Sequence, residues 1–205
     1  MRKLSVMLIA VAVLCVFLDS NVQATPVTLI SKEATNWEYS VLGTDLYSGW
    51  GSVNYNSVNW NSLMWNTGNA AFGNPYSLPY NTYWQANTDL ALQKTFVIDG
   101  ILSTPITLNV ASDNGFVIFI NGQQVAKANE EGYTKYWEYS LPLSTLGFIS
   151  PGNNLIQVLA EDHGGATFFD LNLTGDVTPV PEPATLLLLA SGLVGLVGFR
   201  RSFRK

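Results

Sequence analysis

Trp50, Trp60, Trp65 and Trp84 stand among the asparagines, serines and glycines that fill the stretch from Tyr47 to Gln85. An indole face stacks on the C–H face of a sugar ring, and amides or carboxylates bind its hydroxyls. Trp60 and Trp65 are five residues apart and each adjoins an asparagine. The segment Glu130-Glu131-Gly132-Tyr133-Thr134-Lys135-Tyr136-Trp137 has the same composition, which adds Tyr133 and Trp137 as candidate ligand-binding residues. The alternative use of these rings is the core of a loop layer, and the sequence leaves both open. A second chemistry is cation binding. Asp113-Asn114-Gly115 and Glu161-Asp162, near Gly164-Gly165, offer hard oxygen ligands of the kind calcium takes. No Asp-x-Asp-x-Asp spacing accompanies them, and Asp113 suits an Asx-turn equally well.

Catalytic chemistry finds little to work with. The histidine of the chain is His163, beside Glu161 and Asp162 in a glycine-rich turn. A Gly-x-Ser-x-Gly elbow is absent, as are phosphate-loop, dinucleotide and zinc patterns. No glycosidase pair stands out from thirteen carboxylates between residues 25 and 178. The expectation is a protein that is not an enzyme. Those thirteen carboxylates face only Lys32, Lys94, Lys127 and Lys135, because every arginine lies near a terminus. So acidic a body repels nucleic acid and anionic lipid. Cys15 sits in the N-terminal apolar run, so the body has no cysteine for a disulfide, a thiolate metal site or a nucleophile.

The termini read as transport signals. Arg2 and Lys3 precede an apolar run from Leu4 to Leu18, and Val22-Gln23-Ala24 supplies the small residues a signal peptidase requires. Residues 1–24 are therefore expected to be a signal peptide cleaved after Ala24, with an uncleaved helix as the alternative. Leu14 before Cys15 does not fit a lipoprotein signal. At the other end Pro181-Glu182-Pro183 is followed by uncharged residues 184–199 and then by Arg200-Arg201-Ser202-Phe203-Arg204-Lys205. Prolines interrupt ladders and helices, and the basic end is what the positive-inside rule keeps cytoplasmic. A helix over 184–199 would span roughly 24 Å, short of a hydrocarbon core of about 30 Å. Gly192, Gly195 and Gly198 weaken it further.

This order of Pro-Glu-Pro, short transmembrane helix and arginine cluster resembles the PEP-CTERM sorting signal of exopolysaccharide-producing Gram-negative bacteria, a segment also known as an ice-binding-protein C-terminal motif. The resemblance implies that an exosortase-type membrane transpeptidase handles residues 179–205 and sends the body to the cell surface or extracellular matrix. It also implies transient residence in the inner membrane, with membrane contact through the terminal segments only. A plain tail anchor is the alternative.

Between the signals, residues 25–178 are long enough for one domain with a sizeable core. Short alternating pieces at 27–30 and 37–42 suit edge or entry strands. From 47 to 85 the texture predicts long loops pinned to a sheet by aromatic side chains. Strands are expected at 93–98, with Phe96 and Ile98 on one side, and around Ile106, Leu108 and Val110. Phe116 to Ile120 reads as a strand buried on both sides. Asn121-Gly122 predicts a type I′ hairpin turn. Further strands are expected at 136–141, 155–160 and 167–174, with a turn at Pro151-Gly152-Asn153-Asn154. This pattern predicts an all-β antiparallel sandwich.

Trp60 to Gly73, Gln93 to Phe96, Ser112 to Val125 and Pro151 to Val158, taken in order, resemble galactose-binding-like jelly-roll domains over residues 35–176. The resemblance implies a jelly-roll fold and, in many such domains, sugar binding. The functional expectation is an exported β-sandwich that binds exopolysaccharide or other glycans, with calcium as the candidate cofactor. A structural or adhesion protein of the matrix is the alternative, and a hydrolase using His163 or Asp162 a third.

Overall fold

The structure, a computed structural model, describes residues 23–43, 46–128, 136–137, 139–143, 147–179 and Gly192. The greater part of the expected signal peptide, the 184–199 helix apart from Gly192, Tyr133, and Pro181, Glu182, Pro183, Arg200 and Arg201 lie outside these residues. Among the described residues no helix is long and apolar enough to cross a membrane.

Ala24–Thr178 forms one compact unit. Its strands, in chain order, are β1 (Thr25–Ile30), β2 (Trp37–Leu42), β3 (Asn66–Gly68), β4 (Phe72–Gly73), β5 (Thr82–Tyr83) and β6 (Asp89–Ile98). They continue as β7 (Ile101–Asp113), β8 (Phe116–Ile120), β9 (Gln123–Ala128), β10 (Tyr139–Leu143), β11 (Gly152–Ala160) and β12 (Phe168–Thr178). One sheet runs β3-β2-β6-β11-β8-β9. The other runs β10-β7-β12-β4-β5, with β1 also on β12. Every pairing is antiparallel except the two-residue β4–β5 contact.

Alternation along the strands builds the layer between the sheets. Leu92, Phe96 and Ile98 of β6, and Ile156 and Val158 of β11, face Ile106, Leu108 and Val110 of β7 and Phe169, Leu171 and Leu173 of β12 in one buried cluster. Burial of side chains of this size stabilises the fold by about 1.5–3 kcal/mol each. All five residues of β8 are buried. The reason is a second apolar layer on the outside of its sheet. Phe116, Ile118 and Ile120 point into the sandwich, while Val117 and Phe119 point outward under the loop segment 46–65. That segment is organised as short 3-10 turns at 47–52, 55–57 and 60–62. Asn54 caps the middle turn, its side chain accepting from Asn56 N–H while Ser57 Oγ accepts from Asn54 N–H, each at 2.9 Å.

The Asn121-Gly122 turn forms as expected, with φ of 49° and 79°. Three local expectations need correction. Tyr136 and Trp137 lie in a turn, Trp137 at φ 56°, and β10 starts at Tyr139. Gly152, Asn153 and Asn154 are already in β11, paired with Ile98, Val97 and Phe96, so of the four only Pro151 lies in the bend. β2 is not an edge strand, because β3 adds three residues outside it.

Candidate functional site

Three of the four loop tryptophans are enclosed. Trp84 is 0% exposed, Trp50 4% and Trp60 7%. Each indole N–H is bonded to a backbone carbonyl: Trp84 to Thr88, Trp50 to Ala128 and Trp60 to Tyr55. Their rings serve the core, one of the two uses the sequence left open for them. Trp65 differs. It is half-buried and stacks on Trp60, with ring centroids 6.4 Å apart and planes 10° from parallel. Trp60 in turn stacks on Tyr55 at 5.6 Å, and both Tyr55 and Trp60 meet Phe119 edge-on. Phe119 thus serves as a footing for three stacked rings, and Trp65 is the outermost.

Phe119 also begins a row that crosses four strands. Register places it opposite Gln157 of β11, Gln157 opposite Gln93 of β6, and Gln93 opposite Glu38 of β2. The row is joined by hydrogen bonds, Gln93 Nε2 donating to Glu38 Oε2 at 2.8 Å and Gln157 Nε2 to Gln93 Oε1 at 3.3 Å. Gln157 is buried and its Oε1 has no hydrogen-bond partner. Tyr55, Glu38, Gln93 and Gln157 were not among the candidates drawn from the sequence. Nothing in their spacing marks them, since it is strand register that assembles them. Trp137 lies elsewhere, on the outside of the opposite sheet. Its ring is edge-on to Tyr136, which is edge-on to Phe168.

The acidic candidates form a hydrogen-bonded junction at one end of the sandwich. Glu161 is buried, and its Oε2 accepts from Gly115 N–H at 3.0 Å. Its Oε1 lies 2.6 Å from His163 Nδ1. The backbones of Glu161 and residues 114–115 exchange two further bonds, and Asn114 Oδ1 accepts from His163 N–H. Asp162 Oδ2 takes the N–H groups of Asn87 and Gly164. Burial pushes the Asp162 carboxyl above its ordinary range, and those two N–H groups pull it partly back. Asp113 ends β7 on the outer face, opposite Phe168. Among the described residues no three histidine, cysteine or acidic side chains converge as a metal site. Of the expected cation ligands Asp113, Asn114, Glu161 and Asp162, the atoms Glu161 Oε2, Asp162 Oδ2 and Asn114 Oδ1 accept N–H groups that tie loops together.

Asp170 is a carboxylate that sequence reasoning passed over. It is 0% exposed on the outer face of β12. It accepts from Glu33 N–H, Leu171 N–H and Tyr136 O–H, and burial raises its pKa to about 6.

Two sheets around one apolar layer, with aromatic loops packed outside one of them, define the body as a β-sandwich. The C-terminus, residues 179–202, carries the PEP-CTERM protein-sorting motif. That motif implies processing by an exosortase, and PEP-CTERM proteins are exported and associated with the cell surface. No curated relative matches the chain. Among solved structures, the body is similar to the PA14 domain of the MpAFP antifreeze protein, at 20% identity and TM-score 0.33, over 72% of this chain and 70% of that one. It is also similar to a PA14 sugar-binding domain from an RTX adhesin, at 19% identity and TM-score 0.31, over 80% and 77%. A β-glucuronidase of Faecalibacterium prausnitzii matches at 12% identity and TM-score 0.39, over 70% of this chain and 22% of the enzyme. At these scores the sandwich assignment rests on the strand pairing described above.

Proposed function

We propose that the body is a non-catalytic, galactose-binding-like jelly-roll module that binds exopolysaccharide or other glycans after an exosortase delivers it to the cell surface or extracellular matrix. One observation carries the reading. Trp65 ends a three-ring stack founded on Phe119, and the same Phe119 begins the hydrogen-bonded row of Gln157, Gln93 and Glu38. A partly exposed indole supplies the apolar face that a sugar ring covers, and fixed amide and carboxylate groups supply directional bonds to its hydroxyls. Stacking holds the indole in place before any ligand arrives, so little side-chain entropy is lost on binding. The acidic charge balance of the body favours a neutral or cationic polymer over an anionic one.

Affinity electrophoresis through gels containing defined polysaccharides, or the producing cell's own matrix polymer, tests the reading. Retention of the wild-type chain that is lost in Trp65→Ala is the expected result. Equal mobility in every polymer and in none would refute it. Self-association that ignores added sugars would instead favour a structural matrix protein.

A further inference from the structure

The two sheets meet along one side of the sandwich, where β3 closes against β5. Asn69 N–H donates to Thr82 Oγ1 and that hydroxyl donates to Asn69 O, both at 2.8 Å. Gly68 is packed so closely there that a Cβ would stand 2.7 Å from Thr82 Oγ1. Two clefts of about 390 and 370 Å³ open beside this seam. The first includes Ser57, Asn59, Ser62 and Leu63 from the loop layer. The second includes Tyr39, Asn66, Tyr83 and Gln85. Ser40, Val41 and Met64 line both, so the two clefts adjoin along a shared wall and together make a two-part groove.

The lining has an unusual make-up for an acidic protein. Among its described residues none is charged. Apolar surface is left open to water, with Met64 85% exposed, Tyr83 56% and Val41 43%. Between these lie exposed amides (Asn59, Asn66, Gln85) and exposed hydroxyls (Ser57, Ser62). Isolated exposed apolar residues need no explanation, but several gathered in one groove mark a binding surface. We propose that this groove is a second glycan site, one that takes an internal stretch of an uncharged polysaccharide. The proposal rests on the glycan-binding reading above and adds to it a place and a polymer class.

Three features select this occupant. A pair of adjoining clefts on one open surface accommodates consecutive sugar units, whereas a single pocket would suit a terminal one. Alternating apolar and amide or hydroxyl groups match the two kinds of surface a pyranose presents. The described lining residues offer a carboxylated or sulfated chain no cation, and such a chain would also meet the negative charge of the body. The site is linked to the Trp65 face by the chain itself. Met64 and Asn66 line the groove while Trp65, between them, turns to stack on Trp60. Consecutive residues of an extended segment point to opposite sides, so segment 64–66 is a wall common to both faces. One polymer engaging both would gain avidity without new contacts.

Retention of the full-length chain, held in a phosphocholine detergent that carries no sugar, would be compared on hydroxyethyl cellulose, galactomannan, dextran and alginate. The expected result is retention on at least one of the three neutral polymers and none on alginate. Tyr83→Ala should then weaken that retention about tenfold, the weight of one aromatic stacking partner. Met64→Glu, at a position 85% exposed and so without a packing role, should weaken it comparably by placing a charge in the groove. Unchanged retention in both variants, with loss in Trp65→Ala, would overturn the groove while leaving the glycan-binding reading intact. Retention on alginate alone would overturn the neutral-polymer assignment. Failure of the wild type on all four polymers would overturn the groove proposal and count against the reading beneath it.

Discussion

Replacing Asp170 with asparagine should change how stability depends on pH, in a direction fixed by the burial of that carboxylate. Asp170 is enclosed beneath Tyr136 and the turn at Lys32-Glu33, where Lys32 Nζ lies 3.9 Å from the Tyr136 ring centre. Desolvation raises its pKa from 3.8 to about 6, against the opposing pull of hydrogen bonds from Glu33 N–H, Tyr136 O–H and Leu171 N–H. The negative charge of Glu33 adds a smaller push upward. The folded protein therefore holds a proton at pH 5 that the unfolded chain has released. Stability contributed by this group is greatest at acid pH and is lost as pH rises through the folded value, between about 4 and 6. At about 1.4 kcal/mol per pH unit, the gap from 3.8 to about 6 amounts to about 3 kcal/mol at pH 7. Asp170→Asn cannot ionise, yet its amide oxygen can still accept from the Glu33 and Leu171 N–H groups. Urea unfolding of wild type and variant, followed by tryptophan fluorescence from pH 4 to 7.5, isolates the effect, since all other carboxylates are common to both. The difference in unfolding free energy should move by about 2.5 kcal/mol in favour of Asp170→Asn across that range. A difference independent of pH, or one moving the other way, would refute the account of Asp170.

Two further substitutions probe the parts that hold the loop layer and the hairpin. In Gly115→Ala the new Cβ would stand 2.6 Å from Trp50 Nε1 and 2.9 Å from Glu161 Oε2. Thermal unfolding should show a loss of about 1–3 kcal/mol, as overpacking of a tight site does. Asn121→Ala removes a residue suited to positive φ together with its bonds to Phe148 O, Asn154 Oδ1 and Leu155 N–H. Urea unfolding should register about 2–3 kcal/mol, and Asn121→Asp, which keeps the acceptor for Leu155 but sets a carboxylate oxygen against Phe148 O and Asn154 Oδ1, should lose no less.

The fold was legible where local chemistry and tertiary demand agree. Phe116 to Ile120 has no polar residue to turn outward, and it is buried on both sides because the loop layer covers its outer face. Asn121-Gly122 specifies a turn that few other residue pairs could form. Legibility failed where pairing partners decide. Pro151-Gly152-Asn153-Asn154 has turn composition, but β6 is long enough to pair with Asn153 and Asn154 and draws them into a strand. The site was partly legible. Trp60 and Trp65 are each followed by asparagine and look equivalent in sequence, yet one sits against Phe119 and the other stacks outside it. Glu38, Gln93 and Gln157 carry no motif, and three strands must find their register before they form a row. Glu161 and Asp162 resembled cation ligands because a carboxylate that accepts backbone N–H groups has the same composition as one that binds metal.

The central claim is that Trp65 presents a sugar-stacking face held by Trp60 and Tyr55. The most direct measurement is retention of wild type and Trp65→Ala on a polysaccharide that retains the wild type, with thermal unfolding of both as the check on folding. A folded Trp65→Ala chain bound at least tenfold more weakly is the predicted result, since the aromatic face is the part of the site that no neighbouring residue can replace. A folded Trp65→Ala chain retained as strongly as wild type would contradict the account.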